Sequence, residues 1–190
     1  MAETHVALLR GINVGGKNRL RMADLVDVFE EVGCTEVRTY IQSGNVIFEA
    51  DKSLARRVAA EVASRLDGEH GLEVPVITRT AAELERVLVD NPYLAGDTDE
   101  AHLHVAFLSA RPAQSRIAKL DPERSPPDTF EVVGREIYLH CPKGVARSKL
   151  TNAWFDSGLA TTSTMRNWKT VRKLVELGRA SCRERVYGLV

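Results

Sequence analysis

Apolar and polar positions along the chain follow two rhythms, and the switches between them lay out a set of elements. Val6-Ala7-Leu8-Leu9 is a short apolar run that ends in a glycine loop, the pattern of a buried strand. Leu25, Val28, Phe29 and Val32 then recur at helical spacing within Met22 to Val32, and Gly33 supplies a stop. Val37 to Ile41 and Val46 to Phe48 alternate across Ser43-Gly44, which predicts a hairpin. Leu54, Val58, Val62 and Leu66 predict a second amphipathic helix over Leu54 to Leu66. Val74-Pro75-Val76-Ile77 reads as a strand whose proline confines it to a sheet edge. The order is strand, helix, strand, strand, helix, strand.

A connecting helix over Ala81 to Val89 and a polar stretch, Asn91 to Glu100, come next, and the plan then restarts. Leu103 to Leu108 reads as a strand and Gln114 to Leu120 as a short helix. Phe130 to Val133 and Glu136 to His140 form a hairpin around Gly134-Arg135. A helix over Ser148 to Phe155, a strand over Ala160 to Thr164 and a last helix over Met165 to Leu177 complete the pattern. The two halves share this plan without visible sequence identity. Each matches the split βαβ, ferredoxin-like (α-β plait) arrangement. The expected fold class is therefore α+β: one such subdomain over 1–79, a connecting helix and linker over 80–100, and a second subdomain with a C-terminal helix over 101–177.

Composition narrows the class. At 190 residues, with 44% hydrophobic and 27% charged positions, the chain can bury a core without staples. Cys34, Cys141 and Cys182 are odd in number and far apart, so no disulfide framework is implied. Met1 to Leu9 lacks a leader pattern, and no apolar run approaches the ~20 residues of a membrane helix, which together predict a cytoplasmic protein. The 26 basic and 26 acidic residues cancel, so the whole-molecule field does not call for nucleic acid. The distribution is less even. Leaving His5 aside, the charges between Thr4 and Ala23 are Arg10, Lys17, Arg19 and Arg21, and seven basic residues face only Asp156 between Lys143 and Lys173. A charge run is ordinarily a solvated face.

Topology tells where the polar residues meet. In a ferredoxin-like unit the loop after the first strand lies at the same edge as the hairpin turn. That brings Arg10, Asn13, Gly15, Gly16, Lys17 and Asn18 beside Gln42, Ser43 and Asn45, where backbone N–H groups and side-chain donors can hold an anion. The same glycines also suit tight turns; the convergence of two donor-rich loops favours the ligand. Gly11 to Lys17 fits the phosphate-loop spacing, but Asn18 stands where a magnesium-binding Ser or Thr is needed and no helix starts there. In the second unit Ser148, Lys149, Arg166 and Asn167 gather at the opposite edge near His102, with Ser148 as a helix cap. Helix capping and anion capture weigh equally there.

Other chemistry finds less support. His102, His104, His140 and Cys141 lack the paired close spacing of a metal site, and Cys141 could find a base only in His102. We expect neither metal nor cofactor. Phe48 and Tyr138 are the aromatics available for an RNA-binding sheet face, and packing explains both better.

Leu8 to Asn18 (LLRGINVGGKN) and Tyr40 to Phe48 (YIQSGNVIF) resemble the signature of a bacterial family, domain-of-unknown-function family 1697. Ser148 to Asn152 and Thr164 to Thr170 are similar to its C-terminal blocks, apart from Met165, and the resemblance runs from Thr4 to Leu177. It implies two ferredoxin-like subdomains and no assigned activity. Gly178 to Val186 resembles instead the translation of a sequencing adapter, so residues 178–190 are expected to be a non-native tail in which Cys182 has no role. The function expected is binding of a phosphate-bearing ligand, nucleic acid or nucleotide-like metabolite, in a polar cleft between the subdomains. An enzyme using that cleft, with its catalytic residues unassigned, and a protein–protein interaction module are the alternatives.

Overall fold

The computed structural model describes residues 2–96 and 98–187, with side chains described as far as Ser181. Its elements form two four-stranded antiparallel sheets with helices between the strands. The chain divides into two compact units: one runs to Glu85 and resumes at Leu174, the other is Arg86–Lys173.

The first unit contains β1 (Glu3–Leu9), α1 (Met22–Val32), β2 (Thr35–Tyr40), β3 (Asn45–Ala50), α2 (Lys52–Ala55), α3 (Val58–His70) and β4 (Val76–Thr80), in the sheet order β2-β3-β1-β4. Strand β4 lies at an edge, although it begins after Pro75 and runs on to Thr80. There Thr80 and Glu83 exchange hydrogen bonds, Thr80 N–H to the carboxylate at 2.8 Å and Glu83 N–H to the hydroxyl at 3.1 Å. That reciprocal pair starts α4 (Ala81–Val89).

The helix expected over Leu54 to Leu66 is in fact two. Asp51 caps a single turn by accepting from Leu54 N–H, and α3 starts afresh at Val58 and continues to His70. Gly71, at φ 64°, closes it in the left-handed conformation that glycine adopts without strain. Helices α1 and α3 cover one face of the sheet, where Leu25, Phe29, Val62 and Leu66 bury against Ala7, Leu9, Val46 and Phe48. Each large side chain withdrawn from water in this way stabilises by roughly 1.5–3 kcal/mol.

The second unit contains β5 (Leu103–Leu108), α5 (Gln114–Ile117), β6 (Thr129–Val133), β7 (Glu136–His140), α6 (Asn152–Leu159) and β8 (Ser163–Asn167), in the sheet order β6-β7-β5-β8. Here the later elements lie downstream of their expected positions. Thr151, not Ser148, caps α6, because its hydroxyl accepts from Trp154 N–H. Ser148 instead accepts from Leu150 N–H at 3.1 Å, while Ser125 takes Lys149 N–H at 3.0 Å. Ala160, at φ 51°, ends α6, and Asp156 accepts from Ser163 N–H at 2.7 Å, which delays the strand to Ser163. Thr164 to Asn167 thus belong to β8 and α7 (Trp168–Tyr187) starts after them.

Helix α7 continues through Gly178 without a break. Arg38 donates to the Ser181 hydroxyl and Arg179 meets Glu85 at 2.8 Å. The Cys182 side chain and Gly188 to Val190, parts of the expected tail, lie outside the described residues.

Strand register uncovers a repeat that the linear sequence hides. His5-Val-Ala-Leu-Leu9 of β1 and His104-Val-Ala-Phe-Leu108 of β5 occupy equivalent positions, since Val6 pairs with Arg79 and Val105 with Arg166. Both arginines are buried, and each donates through Nη1 at 2.9 Å to the carbonyl of the residue before it, Thr78 or Met165. The absence of sequence identity between the halves is therefore corrected at this inner strand pair.

Candidate functional site

The loop after β1 is built on left-handed backbone. Gly11, Asn13, Gly15, Gly16 and Asn18 all have positive φ, from 48° to 77°. Val14 and Lys17 bridge across Gly15-Gly16, and Lys17 N–H donates to Val14 C=O at 3.1 Å, closing a turn that needs residues tolerant of positive φ.

Asn13 fixes this loop. Its Oδ1 accepts from Leu20 N–H at 2.9 Å, and its Nδ2 donates to Leu20 C=O at 2.9 Å and to Gln42 C=O at 3.0 Å. The last of these ties the loop to the β2–β3 turn. A second tie is Leu9 N–H to Gly44 C=O at 2.8 Å, and a Cβ on Gly44 would fall 2.9 Å from Leu9 Cβ. Asn18 donates to Gly11 C=O at 3.1 Å. Asn45 is fully buried and donates to Tyr40 C=O and Ser43 Oγ, at 3.2 and 3.0 Å.

The two donor-rich segments therefore meet at one edge, but their asparagines and glycines build the edge. Asn13, Gly15, Gly16, Asn18, Ser43 and Asn45 shape and stitch the loops. Lys17 and Arg19 are exposed, and Arg10 is half-buried with its backbone N–H on Pro75 C=O. Beside the loop lies an open groove of about 630 Å³, lined by Asn13, Gly16, Arg19, Arg21, Gln42 and His70 among others. Asp24 also lines it and engages Arg21 through two hydrogen bonds, at 2.9 and 2.5 Å. Its hydrogen bonds from Arg21 hold the Asp24 carboxyl below the usual range. Gln42 was expected in the turn beside the loop, whereas Arg19 and His70 were not expected at the site. Arg19 carried a signal in the basic run; His70 had none, because the extra length of α3 carries it there.

The second unit places its residues differently. Lys149 is exposed, and the Asn167 side chain accepts from Thr170 N–H at 2.8 Å. Ser148 is bonded as described above. Arg166 is only 9% exposed, and burial pushes its guanidinium down to about 10, which still leaves it charged at neutral pH. His102 reaches the Cys141 carbonyl at 3.1 Å, and burial raises the thiol to about 11. That is the opposite of what a thiolate nucleophile needs. Among the described residues no group of three His, Cys, Asp or Glu side chains is arranged to hold a metal ion. Phe48 and Tyr138 are buried; the former contacts the rings of His5 and Phe29, and the latter donates to Val87 C=O at 3.1 Å.

Residues 2–138 match the model of a family described as a protein of unknown function (DUF1697). The chain belongs to that family. No curated protein matches it. Among solved structures it is similar to the conserved bacterial protein SP0830 from Streptococcus pneumoniae, at 20% identity and a TM-score of 0.64, over 94% of this chain and 99% of that one. At that identity the likeness concerns the fold alone. A candidate glycine cleavage system transcriptional repressor follows at 11% identity and a TM-score of 0.26, over 87% of this chain and 97% of that one, too distant to inform this family member. Among the described residues no helix is long and apolar enough to cross a membrane.

Proposed function

We propose that this family member binds a phosphate-bearing ligand, a nucleic acid or a nucleotide-like metabolite, in the groove beside the β1–α1 loop of the first unit. The carrying observation is an open concavity edged by Arg19 and Arg21, with Lys17 exposed on the same stitched loop. A loop held by three Asn13 hydrogen bonds needs little ordering when a ligand arrives, so less binding energy is lost to conformational entropy. We read each unit as an α-β plait of the ferredoxin-like kind, on the strength of its element order and of a sheet order in which β1 or β5 lies inside. A cytoplasmic location accompanies this reading.

Calorimetric titration at low salt with AMP and with inorganic phosphate tests the proposal. Each charge-assisted contact contributes about 1.5–3 kcal/mol, so the Lys17→Ala/Arg19→Ala variant should bind at least tenfold more weakly. Affinity of the parent should fall as salt rises. Failure of AMP, phosphate and oligonucleotides alike to bind at low salt would remove the reading, as would full affinity in the double variant.

A further inference from the structure

Ile41 is a β-branched residue held at φ 51°, in the left-handed region where such side chains are genuine outliers. The strain does not bring full burial, since the residue is 50% exposed. Glycine or asparagine would occupy this turn with less strain. Backbone strain spent on presenting an apolar side chain to solvent points to contact with something outside the chain.

A second apolar residue stands at the same edge. Val14 is 60% exposed, and of the four large hydrophobics exposed among the described residues, Val14 and Ile41 are two. Asn13, which precedes Val14, is bonded to the carbonyl of Gln42, which follows Ile41. The hydrogen bond that stitches the loops thus brings both apolar tips to the edge where Lys17 and Arg19 are exposed. Apolar tips interspersed with cations complement a chain in which flat apolar faces alternate with phosphates.

We infer that the edge of the first unit formed by Val14, Lys17, Arg19 and Ile41 binds single-stranded nucleic acid, with unpaired bases against the two aliphatic tips and phosphates on the cations. The inference rests on the groove reading above and names its ligand class. Base faces are available to aliphatic side chains only when the strand is unpaired, and contact through a face is tolerant of sequence. More than one nucleotide is engaged, because a lone nucleotide has one base for two tips.

Fluorescence anisotropy at low salt with labelled 12-mers of oligo(dT) and oligo(rU), alongside titration with AMP and inorganic phosphate, tests this. The oligomers should bind more tightly than AMP, and raised salt should weaken them. Ile41→Asn should lower oligomer affinity about tenfold, as loss of one buried aliphatic contact implies, leave inorganic-phosphate affinity unchanged and raise the thermal midpoint, since asparagine accepts the backbone conformation that isoleucine resists. Val14→Ser should lower oligomer affinity without changing the midpoint. A preference between the two oligomers would assign the strand as DNA or RNA within the same inference. Full oligomer affinity in Ile41→Asn, or oligomers no tighter than AMP, would overturn the inference while AMP binding upholds the groove. Loss of all binding in the parent would overturn both.

Discussion

Gly44→Ala should be among the most damaging small substitutions in the first unit, and the geometry gives its size. The new Cβ would lie 2.9 Å from Leu9 Cβ, 3.1 Å from Leu9 O and 3.3 Å from Ile12 Cβ, on a residue at φ 73°. The left-handed backbone costs an L-residue about 1–2 kcal/mol. Relief of the overlap costs a further 1–3 kcal/mol or so, as overpacking generally does. Moving the turn away also strains the 2.8 Å hydrogen bond from Leu9 N–H to Gly44 C=O, worth about 1 kcal/mol. The sum is about 3–6 kcal/mol, or a fall in thermal midpoint of roughly 6–24 °C for a chain of this length. Gly15→Ala is the matched control: Gly15 also has positive φ, 60°, but nothing lies within 4 Å of its added Cβ. It should lose only the backbone part, about 1–2 kcal/mol. Urea titration and calorimetry of both variants give the comparison. If Gly44→Ala is no worse than Gly15→Ala, the close approach of turn and strand is not what the glycine serves.

Two further outcomes are expected. Asn13→Ala removes three hydrogen bonds, to Leu20 N–H, Leu20 C=O and Gln42 C=O. It should lower stability by about 1–3 kcal/mol in urea titration and weaken AMP binding without touching a charge; unchanged values for both would show that the loop holds itself. Burial lowers the pKa of His5 and His104 below the ordinary 6.5, so the unfolded chain takes up protons first as pH falls. Their stabilising contribution is complete above about pH 6.5 and is lost as pH falls towards the folded values. The urea midpoint should therefore be lower at pH 5 than at pH 7.5, and His5→Phe with His104→Leu should flatten the dependence; equal midpoints in the parent would refute this.

Sequence alone determined what depends on neighbours along the chain. The apolar run Val6 to Leu9, the periodic stripe of α1 and its Gly33 stop, and the two hairpins are local patterns, and the structure has them where the pattern puts them, except that Ile41, expected in the first hairpin's strand, lies in its turn. The order of elements followed, and with it the meeting of the β1–α1 loop with the β2–β3 turn. Where two residues compete for one role, distant contacts decided. Ser148 and Thr151 can both cap a helix; α6 starts after Thr151, while Ser148 serves Leu150 N–H in a segment that Ser125, from another part of the chain, holds through Lys149 N–H. The same holds for β8, whose register is set by pairing with β5 and by Asp156. At the candidate site the sequence displayed donors without their direction. Only the folded chain turns the Asn13 amide inward onto Leu20 and Gln42, brings His70 to the groove and holds Ile41 outward. Those directions depend on contacts between residues far apart in sequence, which local propensity does not encode.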